Sequence, residues 1–149
     1  MGLFDLFRQN QNDEELCLIR DLVLMSVADG ECIADEKILM VKIIADLGVD
    51  LEKYQSKLSN LHSIKDAYPV TREKKLQHLL KIVSIMLADG ECTKEEIQLC
   101  NLIASKMGLG EKEVGATVAF FVSNMTDMDK NMDIVLSYIA NGGYYPDNK

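Results

Sequence analysis

The chain has 149 residues, 48% hydrophobic and 27% charged, which is enough for one globular domain with a buried core. Its formal net charge of −8 excludes the basic face that nucleic-acid backbones require and disfavours anionic lipid, while suiting a cation or a basic partner surface. No apolar stretch approaches the roughly 18 residues of a membrane span, and no basic n-region precedes an apolar core, so a cytoplasmic protein without a signal peptide is expected.

Residues 1–12 form an expected N-terminal amphipathic or flexible segment, in which Leu3, Phe4, Leu6 and Phe7 give way to Gln9-Asn10-Gln11-Asn12. Packing on the domain's own surface is the first reading. Peripheral membrane contact through Leu3, Phe4 and Phe7 is the second, and two helical turns would hold a membrane only weakly.

A single helical domain is expected over 13–141. Asn12 suits an N-cap, with Glu15 completing a capping box, and Leu16, Ile19, Val23, Leu24 and Val27 recur at helical spacing. Asp29-Gly30 stops this first helix. A second restarts near Ile33 to Asp35, carries Ile38, Leu39, Ile43 and Ile44, and ends at Gly48. A third runs from an Asp50 cap through Leu51, Tyr54, Leu58 and Leu61. The connector is 62–69, where Pro69 pushes Tyr68 out of the helical region.

Thr71 can cap a fourth helix that carries Leu76, Leu79, Leu80, Val83, Met86 and Leu87. Thr93-Lys94-Glu95-Glu96 is a capping box for a fifth, with Leu99, Leu102, Ile103 and Met107 inward and Gly108 as its stop. A sixth carries Val114, Val118, Phe121, Val122 and Met125. Thr126 and Asp129 open a seventh with Met132, Val135, Leu136 and Ile139, ended by Asn141-Gly142-Gly143. Residues 142–149 form an expected flexible tail.

No segment alternates with period two over a strand's length, so the expected fold is all-α with about seven helices. The chain also repeats itself. Ala28-Asp29-Gly30-Glu31-Cys32 recurs as Ala88-Asp89-Gly90-Glu91-Cys92, and at the same offset Val23 meets Val83, Glu36 meets Glu96, Ile43 meets Ile103 and Gly48 meets Gly108. Two pseudo-symmetric helix–acidic turn–helix repeats, about 13–62 and 71–125, with a closing helix at about 127–141, would pack as one orthogonal bundle.

Cys17, Cys32, Cys92 and Cys100 form no C-x-x-C pair and, with only His62 and His78 to help, offer no zinc spacing. They read as small buried thiols, with a Cys32–Cys92 disulfide the minor alternative. The two histidines read as satisfied or solvent-facing, without companions at helical spacing.

Each acidic turn gathers four carboxylates, Asp29, Glu31, Asp35 and Glu36, then Asp89, Glu91, Glu95 and Glu96. In the first reading Glu36 and Glu96 are capping-box glutamates, and Asp29 and Asp89 bridge the turn to amides of the next helix despite the unfavourable dipole at a helix C-terminus. In the second, both turns converge and pool Asp29, Glu36, Asp89 and Glu96 around a divalent cation, Ca²⁺ or Mg²⁺. One turn alone is too short, since an EF-hand loop takes about twelve residues. Paired-carboxylate catalysis is the weakest reading. The chain has no Trp and 6% aromatics to line a sugar cleft, and no other catalytic motif.

With Ala28-Asp29-Gly30 followed by Glu36, and Ala88-Asp89-Gly90 followed by Glu96, the chain resembles the tellurite-resistance TerB-like family over roughly residues 13–141. The resemblance implies an internally duplicated all-helical domain linked to tellurite and other stress resistance. It also implies cation binding at the four acids, assemblies near the membrane and no enzyme activity. Related domains attached to DnaJ-type co-chaperones look like interaction units. The functional expectation is a non-enzymatic interaction domain presenting an acidic face to a protein partner with a basic surface, with divalent-cation binding as the alternative.

Overall fold

A computed structural model describes residues 3–28, 42, 44–46, 48, 60–88 and 90–146. The regular structure among them is entirely helical: α1 Leu3–Ser26, a 3-10 turn Leu61–Ser63, α2 Arg72–Met86, α3 Lys94–Lys106, α4 Glu111–Ser123 and α5 Met128–Ala140. The expected all-α bundle is what forms, and α2 to α5 are the expected fourth to seventh helices. Most of the second and third expected helices, the first acidic turn and Cys32 lie outside the described residues. The pseudo-symmetric relation of the two repeats lies there too.

Helix starts follow local chemistry where a side chain can satisfy the free amides of the first turn. Thr71 caps α2 by accepting from the Lys74 amide at 3.3 Å. At α3 the box closes both ways, the Thr93 hydroxyl accepting from the Glu96 amide at 3.2 Å and the Glu96 carboxylate from the Thr93 amide at 2.9 Å. α5 is capped by Asp127 rather than Thr126, because the Asp127 carboxylate accepts the amides of both Asp129 and Lys130 at 3.1 Å.

The start expected at Asn12 is not used. α1 runs unbroken from Leu3, since no Gly or Pro interrupts 3–12 and extending an existing helix avoids the cost of nucleating a second. The side chains of Leu3, Phe4 and Phe7, on which the membrane reading rests, lie outside the described residues. Gly48, Gly90, Gly108 and Gly142 all adopt positive φ, at the helix ends and turns where the stops were expected.

Among the described residues α2 is the helix that packs against most others, meeting α1, α3 and α4. Leu18, Leu22 and Met25 join the main core with Leu79, Ile82, Val83 and Met86 of α2, Ile97 and Ile103 of α3 and Val114 and Val118 of α4. Leu16 and Ile19 build a second cluster with Ile44 and Ile64. The single stripe expected on α1 is therefore replaced by burial on several faces from Leu16 to Leu22, while Val27 is exposed. Cys17, Cys92 and Cys100 are buried, as expected of small apolar side chains. Of the expected loose tail 142–149, residues 147–149 lie outside the described residues, and Tyr144 and Tyr145 lie against the bundle. Tyr145 packs on the core, and the Tyr144 main chain crosses Gly115 so closely that a Cβ there would collide with its carbonyl oxygen.

Candidate functional site: the second acidic turn and the last helix

Of the four acids expected to pool, Asp29, Glu36 and Asp89 lie outside the described residues. Glu96 is 3% exposed and committed to the α3 capping box, as the first reading of the acids requires. Among the described residues no group of three His, Cys, Asp or Glu side chains converges to hold a metal ion.

The second acidic turn packs against α5. The Cys92 amide donates to the Ser137 hydroxyl at 3.1 Å, and the Cys92 carbonyl accepts from Ser137 at 3.1 Å and from the Asn141 amide group at 2.9 Å. Asn131 reaches back to the Val122 carbonyl at 2.9 Å. These side-chain bonds fix both ends of α5 in addition to its apolar contacts with the core. Between turn and helix lies an open cleft of about 680 Å³ lined by Glu91, Asp127, Asp129, Lys130 and Asp133. Lys130 folds across the turn, its Cε 3.4 Å from where a Cβ on Gly90 would stand.

The orientation of α5 differs from expectation. Ile134 and Tyr138 face the core with the partly buried Val135, whereas Met132, Leu136 and Ile139 are 59%, 58% and 50% exposed. These three sit at i, i+4 and i+7, one continuous stripe along the helix. Asp129 and Asp133, themselves i and i+4, form the neighbouring stripe. The outer surface of α5 is thus an apolar ridge with a carboxylate flank. The expected stripe of Met132, Val135, Leu136 and Ile139 marks this ridge in the sequence, but periodicity alone assigns it to the core. Leu102, expected inward on α3, is exposed as well.

A second constellation was not expected at all. Asp21 and His78, 1% and 4% exposed, stand 2.9 Å apart between Oδ2 and Nε2, so His78 has the companion that spacing did not show. Asp21 Oδ1 accepts from Arg20 Nε and Nη2 at 3.2 and 3.1 Å. Arg20 also donates to the Ile64 carbonyl at 2.9 Å and the Tyr68 hydroxyl at 3.0 Å, and pairs with Asp66 at 2.8 Å. The Tyr68 ring meets His78 edge-on at 5.1 Å. One clue lay in Leu16 to Leu22, a charged Arg20-Asp21 pair set inside an otherwise apolar run.

This cluster fastens the connector to α1 and α2. Burial works against the Arg20 charge, but Asp21 and Asp66 more than offset it and hold the guanidinium protonated. Burial, and then the Asp21 charge, raises the Tyr68 hydroxyl above the ordinary range. Burial works against the thiolate form of Cys17 and Cys100. It raises Cys17, and together with neighbouring Cys92 pushes Cys100 up to about 12. The Asp21–His78 pair joins α1 to α2. His62, by contrast, is exposed on the 3-10 turn.

Comparison with family models, with curated proteins and with solved structures finds no match to this chain. No helix among the described residues is long and apolar enough to cross a membrane.

Proposed function

We propose that this chain is a non-enzymatic interaction domain of TerB-like type that presents an acidic face to a protein partner. The observation that carries the reading is the outer surface of α5, where the exposed Met132, Leu136 and Ile139 run beside Asp129 and Asp133. Scattered surface apolar residues are ordinary, but three in one helical stripe form a patch whose cost in water is recovered when a partner covers it. The bundle supports this role by holding α5 rigidly through Ser137, Asn141 and Asn131, so a partner would meet a preformed surface. A second copy of the chain is the wrong occupant. It would set like carboxylates against one another, at a cost of about 3 kcal/mol for each pair brought to about 5 Å at an effective dielectric near 20.

The divalent-cation alternative draws less support, because Glu96 serves as a cap. An all-helical bundle agrees with what the TerB-like resemblance implies, and the second acidic turn gains a use as the platform on which α5 rests. Stress or tellurite resistance belongs to the resemblance alone.

The test is a photo-crosslinking amino acid placed at Leu136 and, as a control, at the exposed Gln98 on α3, in cells that make the protein. A discrete cross-linked species from position 136 is expected, missing from position 98 and lost on adding Asp129→Asn and Asp133→Asn. Identical patterns from the two positions would remove α5 as the interaction surface.

A further inference from the structure

The geometry points to a specific occupant for the outer face of α5: a basic amphipathic helix of a partner protein, with apolar anchors at helical spacing and Lys or Arg along one flank. This deepens the interaction-domain reading and rests on it.

The apolar stripe sets the shape of the partner. Met132, Leu136 and Ile139 span two turns of a 13-residue helix about 20 Å long. A straight ridge of that length matches a second helix laid along it, whose own i, i+3/i+4, i+7 residues pack into the spaces between the three side chains. An extended peptide would gain nothing here, because a helix offers no free backbone edge to pair with.

The flank sets the charge. Asp129 and Asp133 are exposed and engaged by no side chain among the described residues. Asp127 contributes less, since its carboxylate already accepts the Asp129 and Lys130 amides. Lys130, the one cation among the described residues that line this cleft, is drawn aside over Gly90, where the missing side chain leaves it room. The uncompensated charge beside the ridge is therefore negative and lies along one edge only. A helix with Lys or Arg on the matching flank satisfies both stripes at once, and its long basic side chains can lay their methylenes on Leu136 while their heads reach the carboxylates. The same carboxylates repel an anionic bilayer and a second copy of this chain, which sets those two occupants aside.

The experiment uses the whole 149-residue chain and three dye-labelled synthetic helical peptides, read by fluorescence anisotropy. One carries a Leu stripe with a Lys flank, one the same stripe with a Gln flank, and one the Lys flank with Ala in place of Leu. The Leu/Lys peptide is expected to bind at least ten-fold more tightly than either of the others at low salt. The advantage over the Leu/Gln peptide is expected to shrink in half-molar salt. Leu136→Gln should cost the Leu/Lys peptide ten-fold or more, with an unchanged thermal melt showing that the fold is intact. Asp129→Asn with Asp133→Asn should reduce it to the level of the Leu/Gln peptide, and Gln98→Ala should change nothing.

Equal binding of the Lys-flanked and Gln-flanked peptides would overturn the basic-helix assignment while leaving α5 a docking face. Binding by none of the three would overturn it too, and the cross-linking result would then decide separately whether α5 engages any protein. A dimer in sedimentation equilibrium that Leu136→Gln dissociates would name a second copy as occupant. Sedimentation with phosphatidylcholine vesicles that Leu136→Gln abolishes would name a membrane, and either result overturns the proposal.

Discussion

Asp21 Oδ2 lies 2.9 Å from His78 Nε2 while Asp21 Oδ1 accepts from Arg20, so one buried carboxylate serves donors on both α1 and α2. Removing a shared acceptor costs more than removing either donor, because it leaves Arg20 buried beside an apolar void. Asp21→Ala is expected to destabilise the protein by about 3–5 kcal/mol, and His78→Ala, which leaves the Arg20–Asp21 pair in place, by about 1–3 kcal/mol. Urea unfolding checks the order. Losses below about 1 kcal/mol for both would show that the cluster does not hold the connector.

The capping box at the start of α3 separates the two readings of the acidic turn. Thr93→Ala is expected to cost about 1 kcal/mol through loss of the bond to the Glu96 amide. Glu96→Gln keeps an oxygen for the Thr93 amide and should cost less. If Glu96 is a cap and not a cation ligand, the melting response to millimolar Ca²⁺ or Mg²⁺ is the same in wild type and Glu96→Gln. A response present in wild type and gone in the variant would return Glu96 to the metal reading.

Two buried phenols contribute to alkaline stability alongside the buried thiols of Cys17 and Cys100. Burial first, then nearby negative groups (Asp21 for Tyr68, the thiols for Tyr138), raises both hydroxyls in the folded protein above the ordinary tyrosine value of about 10. A raised folded value means that the stabilisation is complete below about pH 10 and is lost as pH climbs past it, where the unfolded chain releases the protons first. The urea midpoint should therefore fall steeply above about pH 10, with phenolate absorbance of these two residues appearing only as the protein unfolds. Tyr138→Phe should flatten that fall, and an unchanged slope would argue that other groups control it.

Gly115 poses a contest between propensity and contact. Alanine in the middle of α4 would favour the helix by about 1 kcal/mol, yet its Cβ would strike the Tyr144 carbonyl oxygen. The collision is with main chain and should prevail, so Gly115→Ala is expected to lower the melting temperature and release the tail. Faster chymotryptic cleavage after Tyr144 would report that release. A higher melting temperature with unchanged cleavage would mean that the tail yields without cost.

Helix ends were legible because their causes are local. Thr71, the Thr93–Glu96 box, and Gly48, Gly108 and Gly142 act within four residues, and each behaves as its spacing suggests. Helix faces were less so. In α5 the period identifies apolar positions, but whether Leu136 or Ile134 turns inward depends on where Cys92 anchors Ser137, forty-five residues away in the chain. The start of α1 was missed because Asn12 has the chemistry of a cap but no chain break before it to make a cap necessary. Asp21 and His78 are fifty-seven positions apart, and no periodicity links them. The candidate site stayed hidden for the same reason. Its apolar half was visible as a stripe, yet a stripe is read as core until the neighbours are known.

Because Leu18 and Leu22 complete one hydrophobic cluster while Leu16 and Ile19 complete the other, α1 is a wall common to both. The repetition in the sequence is then not a division in folding. A fragment of residues 60–146 would lose the α1 side chains Leu18, Leu22 and Met25 from the cluster they share with Leu79, Ile82 and Val83, and is expected not to fold on its own. The described helices should therefore unfold in one cooperative step, with α1 lost together with α2.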